Sequence, residues 1–399
     1  MEHLTDSERE NIPGGSTQLG TNQSGMREQN ERLVLTLLRR SSGLASAEVA
    51  RRTGLSAQTV SRLIRALEAD QLIRRGAPQR GRVGQPSVPL SLNPTGAFFL
   101  GLKVGRRSLE LVLTDFLGTI IDREKQIHSY PDFDNVLAFT VSGCGTIRNR
   151  LAPALRGRLA GMGIAMPFHL WNWAAQIGVD PARMANWETR DLGAELAERI
   201  DLPLFVQNDA TAACSAELVF GASPRPPNFL SFFVAFFIGG GLVLRGSLYT
   251  GATGNAAGLG PLVVPDTDGR MLPLIELASL SKLERRLVEM GQDATHIWND
   301  AEGWDIPEAA LEDWLDHAAP ALAHAVLAAQ ALLDLDAILL DGWLPRRVLA
   351  DLRVRVEAAL DGLDLSGIRR PAIRSGTIGA DARALGAASL PLSARFLVD

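Results

Sequence analysis

The sequence predicts an α/β protein in two parts, a basic N-terminal winged helix-turn-helix followed by a two-lobed body. Three observations carry this reading. Residues 26–93 hold twelve arginines against five acids, although the 399-residue chain has a net charge of −5. Two short helical periods joined by TGLS fall within residues 46–70. From Phe98 onward, apolar strand-like runs alternate with helical stripes, the pattern of an α/β fold.

Bulk composition narrows the class. Apolar residues make up 46% and charged residues 21%, a globular balance, and the length suits two or three domains. A basic block ahead of an acidic body suits a module that meets a polyanion, although a solvated charged face would look the same. The two cysteines, Cys144 and Cys214, have no metal-site or disulfide-framework spacing, and Cys214 reads as a buried small hydrophobe. The opening MEHLTDSERENIPGG is polar and acidic, unlike a signal or transit peptide. No apolar run reaches the roughly 18 residues of a membrane span. A cytoplasmic protein without a membrane partner is expected.

Residues 1–25, rich in Gly, Ser, Asn and Thr, are expected to be a flexible leader, with the winged domain at 26–93. Leu33, Leu37 and Leu38 recur at helical spacing. SAEVARRTG, residues 46–54, reads as a short helix capped by Ser46 and closed by Gly54. Ser56 is expected to cap a longer helix whose inner stripe is Val60, Leu63, Ile64 and Leu67. Its outward side chains, Gln58, Thr59, Ser61, Arg62 and Arg65, are suited to base edges and phosphates in a major groove. LIRRG and SVPLSLN read as two strands around a basic loop, a wing with Arg80 and Arg82 at its tip. A helical protein-interaction module is the competing reading.

In the body, FFLGLKVG and SLELVLTD read as strands followed by FLGTIIDREKQI, one known opening of an actin-like, ribonuclease-H-like lobe. A helix around 134–155, the buried strand RLAGMGIAMP and a helix around 189–200 lead to LPLFVQND. The first lobe is placed at 94–225 and the second at 226–399. The second opens with FLSFFVAFFIGGGLVLRGSLYTG, continues through helices near 273–290 and 307–333, and adds the strand DAILLDGWLP. LADLRVRVEAAL, PAIRSG and GADARALGAASLPL supply a helix, a strand and a last helix expected to pack back on the first lobe.

These residues resemble the ROK family, and within it the transcriptional regulators of the xylose and N-acetylglucosamine repressor kind. The likeness covers about residues 26–395. It rests on GQPSVPLSLNP, LVLTDFLGTII, GMGIAMP and LYTGATGNAAGLGPLVV. Its most specific part is the block holding Trp187, Asn208, Asp209, Ala212, Ala213, Glu217 and Gly221. The resemblance implies a bilobal body that holds a sugar or sugar derivative. In the family's kinases, the residue matching Asp209 is the base that takes the sugar hydroxyl proton.

Several stretches depart from the kinase pattern. KVGRRS, residues 103–108, stands where the kinases resemble DxGGT, so Lys103, Arg106 and Arg107 replace an acid and close-approach glycines. AFFIGGG, residues 235–241, keeps only the last glycines of the second phosphate loop. GNAAGLGP, residues 254–261, puts Gly258 and Pro261 where the family has a sugar-holding glutamate and a zinc-binding histidine. The cysteine-rich zinc loop is missing, so no metal and no cofactor are expected.

On this reading the chain is expected to be no enzyme. It is expected to be a regulator, most naturally a repressor, that binds an inverted-repeat operator as a homodimer or homotetramer. Asn186, Asn208, Asp209, Glu276 and His169 are the candidate effector contacts, with Asp209 or Asn208 equally able to act as a helix cap. Core packing competes for Trp187, and Trp171 beside His169 suggests an aromatic pocket. The alternatives are a sugar kinase with an attached DNA-binding domain, or a DNA-binding protein whose body holds no ligand.

Overall fold

The computed structural model describes residues 23–41, 43–78, 88–174, 177–222 and 226–398. Most of the N-terminal leader, and Arg80 and Arg82 at the wing tip, lie outside the described residues.

The N-terminal module contains α1 (Gln23–Arg40), α2 (Ser46–Thr53), α3 (Ala57–Ala69) and an antiparallel pair, β1 (Ile73–Arg75) and β2 (Leu90–Leu92). Helix α1 starts three residues before the expected boundary. Its buried stripe is Val34, Leu35 and Leu38, with Leu33 and Leu37 only half-buried. Ser46 is the first residue of α2 and not its cap; Ala45 holds that position without a side-chain bond. Gly54 closes α2 in the left-handed region at φ 70°. Ser56 caps α3 by accepting the Thr59 N–H at 3.2 Å, and Val60, Leu63, Ile64 and Leu67 are all buried.

The first lobe holds β3 (Phe98–Val104), β4 (Ser108–Thr114), β5 (Ile120–Ile127), β6 (Leu159–Met166) and β7 (Leu204–Asn208), in the order β5-β4-β3-β6-β7. Strands β3, β6 and β7 run parallel, and β4 and β5 fold back antiparallel. Helices α4 (Phe133–Arg150), α5 (Asn186–Thr189) and α6 (Leu192–Ala197) lie in this lobe. Helix α7 (Asp209–Phe220) leaves it for the second lobe.

The second sheet repeats the plan. Strands β8 (Phe229–Val234), β9 (Gly239–Leu244) and β10 (Ser247–Tyr249) form its antiparallel part, and β13 (Ala337–Gly342) and β14 (Ala372–Ser375) continue parallel to β8. Between them lie the hairpin β11 (Val263–Pro265) and β12 (Met271–Pro273) and helices α8 (Leu274–Ala278), α9 (Leu280–Glu289), α10 (His296–Asn299) and α11 (Glu308–Leu333). Helix α12 (Arg346–Asp361) precedes β14, and α13 (Ala382–Phe396) ends the fold.

Helix α13 lies across β3 and β6 and against α7, and small residues make this possible. A Cβ on Gly163 would fall 1.8 Å from the Ala387 carbonyl, and one on Gly386 would fall 1.8 Å from that of Ala212. The Ser215 and Ser389 hydroxyls meet across the crossing at 2.8 Å. At the far end, Phe396, Leu392 and Leu397 share an apolar core with Val34, Leu35 and Leu38 of α1. The Val398 N–H donates to Thr36 Oγ1 at 3.0 Å, and Arg39 donates to the Phe116 carbonyl. The N-terminal module is thus packed onto the end of α13.

Overpacking at this crossing has no soft neighbour to absorb it, since the clash is with backbone. Gly386→Val is expected to lower unfolding free energy by more than about 3 kcal/mol, and Ser389→Ala by about 1 kcal/mol, both read from urea titrations. Gly386→Val with near-wild-type stability would refute the close crossing.

Candidate functional site

A cavity of about 540 Å³ opens between the lobes, within the range of small-molecule sites. It lies at the carboxyl ends of parallel strands, where successive connections diverge and leave a crevice. After β3 the turn 105–107 brings in Arg106 and Arg107; after β6 come Phe168, His169 and Trp173; Asn208 ends β7 and Asp209 follows it. The second lobe contributes Phe236 and Phe237 after β8, Asn255 to Pro261, Trp298, and Trp343 after β13. Arg383 enters from the first turn of α13.

Asn208 and Asp209 both line the cavity and both accept N–H groups at the start of α7. Asn208 is the cap of α7, its Oδ1 accepting the N–H groups of Ala210 at 3.0 Å and Thr211 at 3.3 Å. Asp209 faces the cavity with Oδ2 3.3 Å from Arg383 Nη1, a partner 174 residues away that no local pattern reveals. The Arg383 guanidinium also stands over the Phe233 ring at 5.4 Å.

The wall from the first lobe is cationic. Lys103 is buried, 3.6 Å from Glu110 Oε2 and 3.1 Å from Ser108 Oγ. Burial, and then Arg383 nearby, push its ammonium down to about 8, while Glu110 pulls the other way. Arg106 rests on the Phe236 ring at 3.6 Å, and Arg107 pairs with Glu284 of α9. Burial pushes Arg106 down to about 10, with Glu284 opposing, so it remains a cation at neutral pH.

The other wall is aromatic. Phe237 meets Trp173 edge-on at 4.8 Å, and Phe236 lies 5.7 Å from Trp298. Trp171 packs against His169 at 5.0 Å and leaves the lining to Trp173. His169 lines the cavity from a left-handed backbone, φ 56°. The surviving glycines of AFFIGGG have a packing reason. A Cβ would reach Ala210 Cβ from Gly239 at 2.6 Å and Cys214 Cβ from Gly241 at 2.3 Å.

Two candidate contacts are corrected. Asn186 is exposed at the start of α5 and outside the cavity. Glu276 is exposed and pairs with Arg285 at 3.4 Å, because α8 turns Ile275 inward in its place. Trp187 is core, its Nε1 donating to the Pro131 carbonyl at 2.7 Å. Sequence reasoning missed Arg383, Asn255, Trp298 and Trp343 as lining residues; Asn255 lay in a stretch compared with the sugar-binding motif, whereas Arg383 and Trp343 lay in stretches read only as secondary structure. On α3, Gln58, Ser61, Arg62 and Arg65 are exposed. Thr59 is half-buried with its hydroxyl 2.9 Å from that of Ser56.

Among the described residues, no group of three or more His, Cys, Asp or Glu is placed to hold an ion, and Cys144 and Cys214 are separately buried. No helix among them is long and apolar enough to cross a membrane.

The ROK family profile matches residues 99–393. The chain belongs to the ROK family. A MarR family profile matches residues 25–82, the helical N-terminal module. Among curated relatives, the uncharacterized protein y4fQ of Sinorhizobium fredii is 28% identical over 88% of this chain and 89% of its own length. The xylose repressor of Bacillus spizizenii is 27% identical over 61% of this chain, which spans 62% of that repressor's length. A solved ROK family transcriptional regulator, described as a homolog of the E. coli MLC protein, superposes with a TM-score of 0.66 at 21% identity, covering 93% and 97% of the two chains.

The comparisons correct one expectation. The ROK hexokinase of Thermus thermophilus covers 73% of this chain and 97% of its own at a TM-score of 0.51 and 22% identity. A glucokinase of Streptomyces griseus, solved with glucose and AMPPNP, covers 74% and 99% at 0.53 and 17%. The body therefore has a fold on which enzymes phosphorylate sugars, and the expectation of a chain without enzymatic activity is withdrawn.

The buried Lys103 gives a pH signature. Between about 8 and the ordinary 10.5, the unfolded chain keeps a proton that the native lysine has released, so stability from this group rises with pH across that window. Lys103→Met is expected to remove the rise. The wild-type-minus-variant difference in urea unfolding free energy should be flat below pH 8 and climb above it; a flat difference throughout would show an ordinary lysine.

Proposed function

We propose that the chain is a DNA-binding transcriptional regulator, a repressor in its simplest form, whose ROK body binds a small sugar-like ligand between its lobes. The observation that carries this reading is the outer face of α3. Arg62 and Arg65 are exposed there and pair with no carboxylate among the described residues, whereas Arg51 and Arg52 are tied to Glu48 and Arg75 to Glu68. Arg65 Nε donates only to the Ser61 carbonyl, at 3.3 Å, and guanidinium groups without a carboxylate partner beside Gln58 and Ser61 suit phosphates and base edges. The likeness to the xylose repressor and to a solved ROK regulator supports the same reading. Arg80 and Arg82 in the wing are proposed backbone or minor-groove contacts, and a dimer on an inverted repeat is the proposed assembly.

Fluorescence anisotropy on operator DNA selected from genomic fragments tests this. Arg62→Ala with Arg65→Ala is expected to weaken binding about tenfold or more and to reduce the salt slope by about one per lost phosphate contact. Unchanged affinity and slope would remove α3 as the reading helix.

A second reading has its own observation. Asp209 lines the cavity at the head of α7, where the resemblance to the kinases puts a catalytic base, and two solved sugar kinases share the fold. A coupled assay with magnesium-ATP and a panel of hexoses and N-acetylhexosamines tests it. Turnover that disappears in Asp209→Asn supports phosphoryl transfer. A panel without turnover, on protein that binds its ligand, leaves the regulator reading alone.

A further inference from the structure

The residues lining the interlobe cavity are unbalanced in charge. Among the described ones, Lys103, Arg106, Arg107 and Arg383 stand against Asp209 alone. Lys103 is compensated behind the wall by Glu110, which also serves Arg123. Arg383 and Asp209 compensate each other. The remaining pair, Arg106 and Arg107, share one carboxylate, that of Glu284.

Glu284 is already engaged. Its Oε1 accepts from Arg107 and its Oε2 from Trp298 Nε1 at 3.1 Å. Arg106 stays 3.6 Å away, with Nε and Nη1 buried and without a hydrogen-bond partner. Its face is occupied by the Phe236 ring, which fixes the guanidinium plane. A desolvated, stacked guanidinium with unmet donors is a receptor for a planar or tetrahedral oxyanion, which it can meet edge-on through paired charge-assisted bonds. A neutral sugar would leave that need unmet. Around it, Asn255 and Asp209 offer hydroxyl partners, and Trp173, Phe237 and Trp343 offer apolar faces.

We propose that the ligand of this cavity is a small polyol bearing an anionic group, a carboxylate or a phosphate, and that Arg106 is the residue that selects it. The proposal rests on reading the cavity as the ligand site, and it narrows the chemistry of that ligand. The anion displaces the long Arg106–Glu284 contact and supplies the missing acceptors. Recognition here is by side chain. Arg106 and Arg107 fill the turn where the related kinases have glycines that admit phosphate to the backbone.

Isothermal titration of the full-length chain with matched neutral and anionic polyols tests the proposal. The pairs are glucose with gluconate, glucuronate and glucose 6-phosphate, xylose with xylonate, and galactose with galacturonate; ATP is a separate arm. At least one anionic member is expected to bind about tenfold or more tighter than its neutral partner, less so as salt rises. Arg106→Gln, checked for unchanged circular dichroism and melting, is expected to lower that affinity about tenfold or more and to leave the neutral partner unchanged. Arg106→Lys should restore part of it.

Neutral sugars binding as well as their acids, no anionic polyol binding at all, or equal loss of both ligands in Arg106→Gln would each overturn the proposal. ATP alone binding in an Arg106-dependent way assigns the anion to a nucleotide and overturns the polyol. Failure of DNA binding with anion selection intact would remove the regulator reading and leave this one standing.

Discussion

The structure depends on one contact, the crossing of α7 and α13 where Gly386 lies against the Ala212 carbonyl. Without side chains at the crossing, the two helices approach closely enough for Ser215 and Ser389 to bond. Helix α13 is then seated on β3 and β6, while α7 is seated on β9 of the other lobe. The lobes meet through this pair. At 1.5 Å per residue the helices are about 18 and 22 Å long, and each reaches from the cavity to the N-terminal module. Asp209 and Arg383 meet near their beginnings. Val219, Phe220, Leu392 and Phe396, near their ends, pack with the core that holds α1. Ligand-dependent sliding of α13 on α7 would therefore be felt at both places, the kind of shear that packed helices permit.

Charge pairs hold the lobes in this arrangement. Arg123 pairs with Glu110 in the first sheet and with Asp381 at the entrance to α13, 2.9 Å away. Arg107 and Glu284 tie the β3–β4 turn to α9. The loop before α13 is held from the other side, where Glu217 accepts the Thr377 N–H and hydroxyl, both at 2.9 Å, and Asp341 accepts the Gly379 N–H at 2.8 Å. Burial pushes the Asp341 carboxyl up to about 6. The carboxylates of Glu110, Glu284, Glu217 and Asp341 are largely desolvated, so removing their partners leaves a poorly solvated charge, whereas Arg123 and Asp381 keep much of their exposure.

What could be read from the sequence was local. The stripe Val60, Leu63, Ile64 and Leu67, the Ser56 cap, the strands ending in Met166 and Asn208, and the block following Asp209 all follow from period and neighbouring residue types. Side-chain direction over one residue was not legible. Glu276 and Ile275 differ by about 100° around α8, and the five-residue helix offers no stripe long enough to tell inward from outward. Nor were the long-range partners legible. Arg383 with Asp209, Arg107 with Glu284 and Trp343 in the cavity wall join residues that only the folded topology brings together. The glycines at 239–241 were ambiguous for a different reason, because the same absence of a side chain serves a phosphate or a tightly packed helix.

The Asp209–Arg383 pair shows how the two readings of the body meet in one geometry. A base that accepts a sugar proton needs its carboxylate oxygens free and aimed at the hydroxyl. Here one oxygen accepts the Ala210 N–H and the other faces Arg383. A ligand hydroxyl that bonds Asp209 must compete with that guanidinium. Success frees a carboxylate for chemistry and, in the same step, releases the first turn of α13 from the first turn of α7. Catalysis requires in addition an electrophile positioned against that hydroxyl, whereas sensing requires only that α13 respond and carry the displacement to Phe396 and α1. The turn after β3 bears on this difference: Arg106 and Arg107 occupy it with side chains already committed to Phe236 and Glu284. An anion drawn to them would meet the Arg107–Glu284 contact that joins the two lobes.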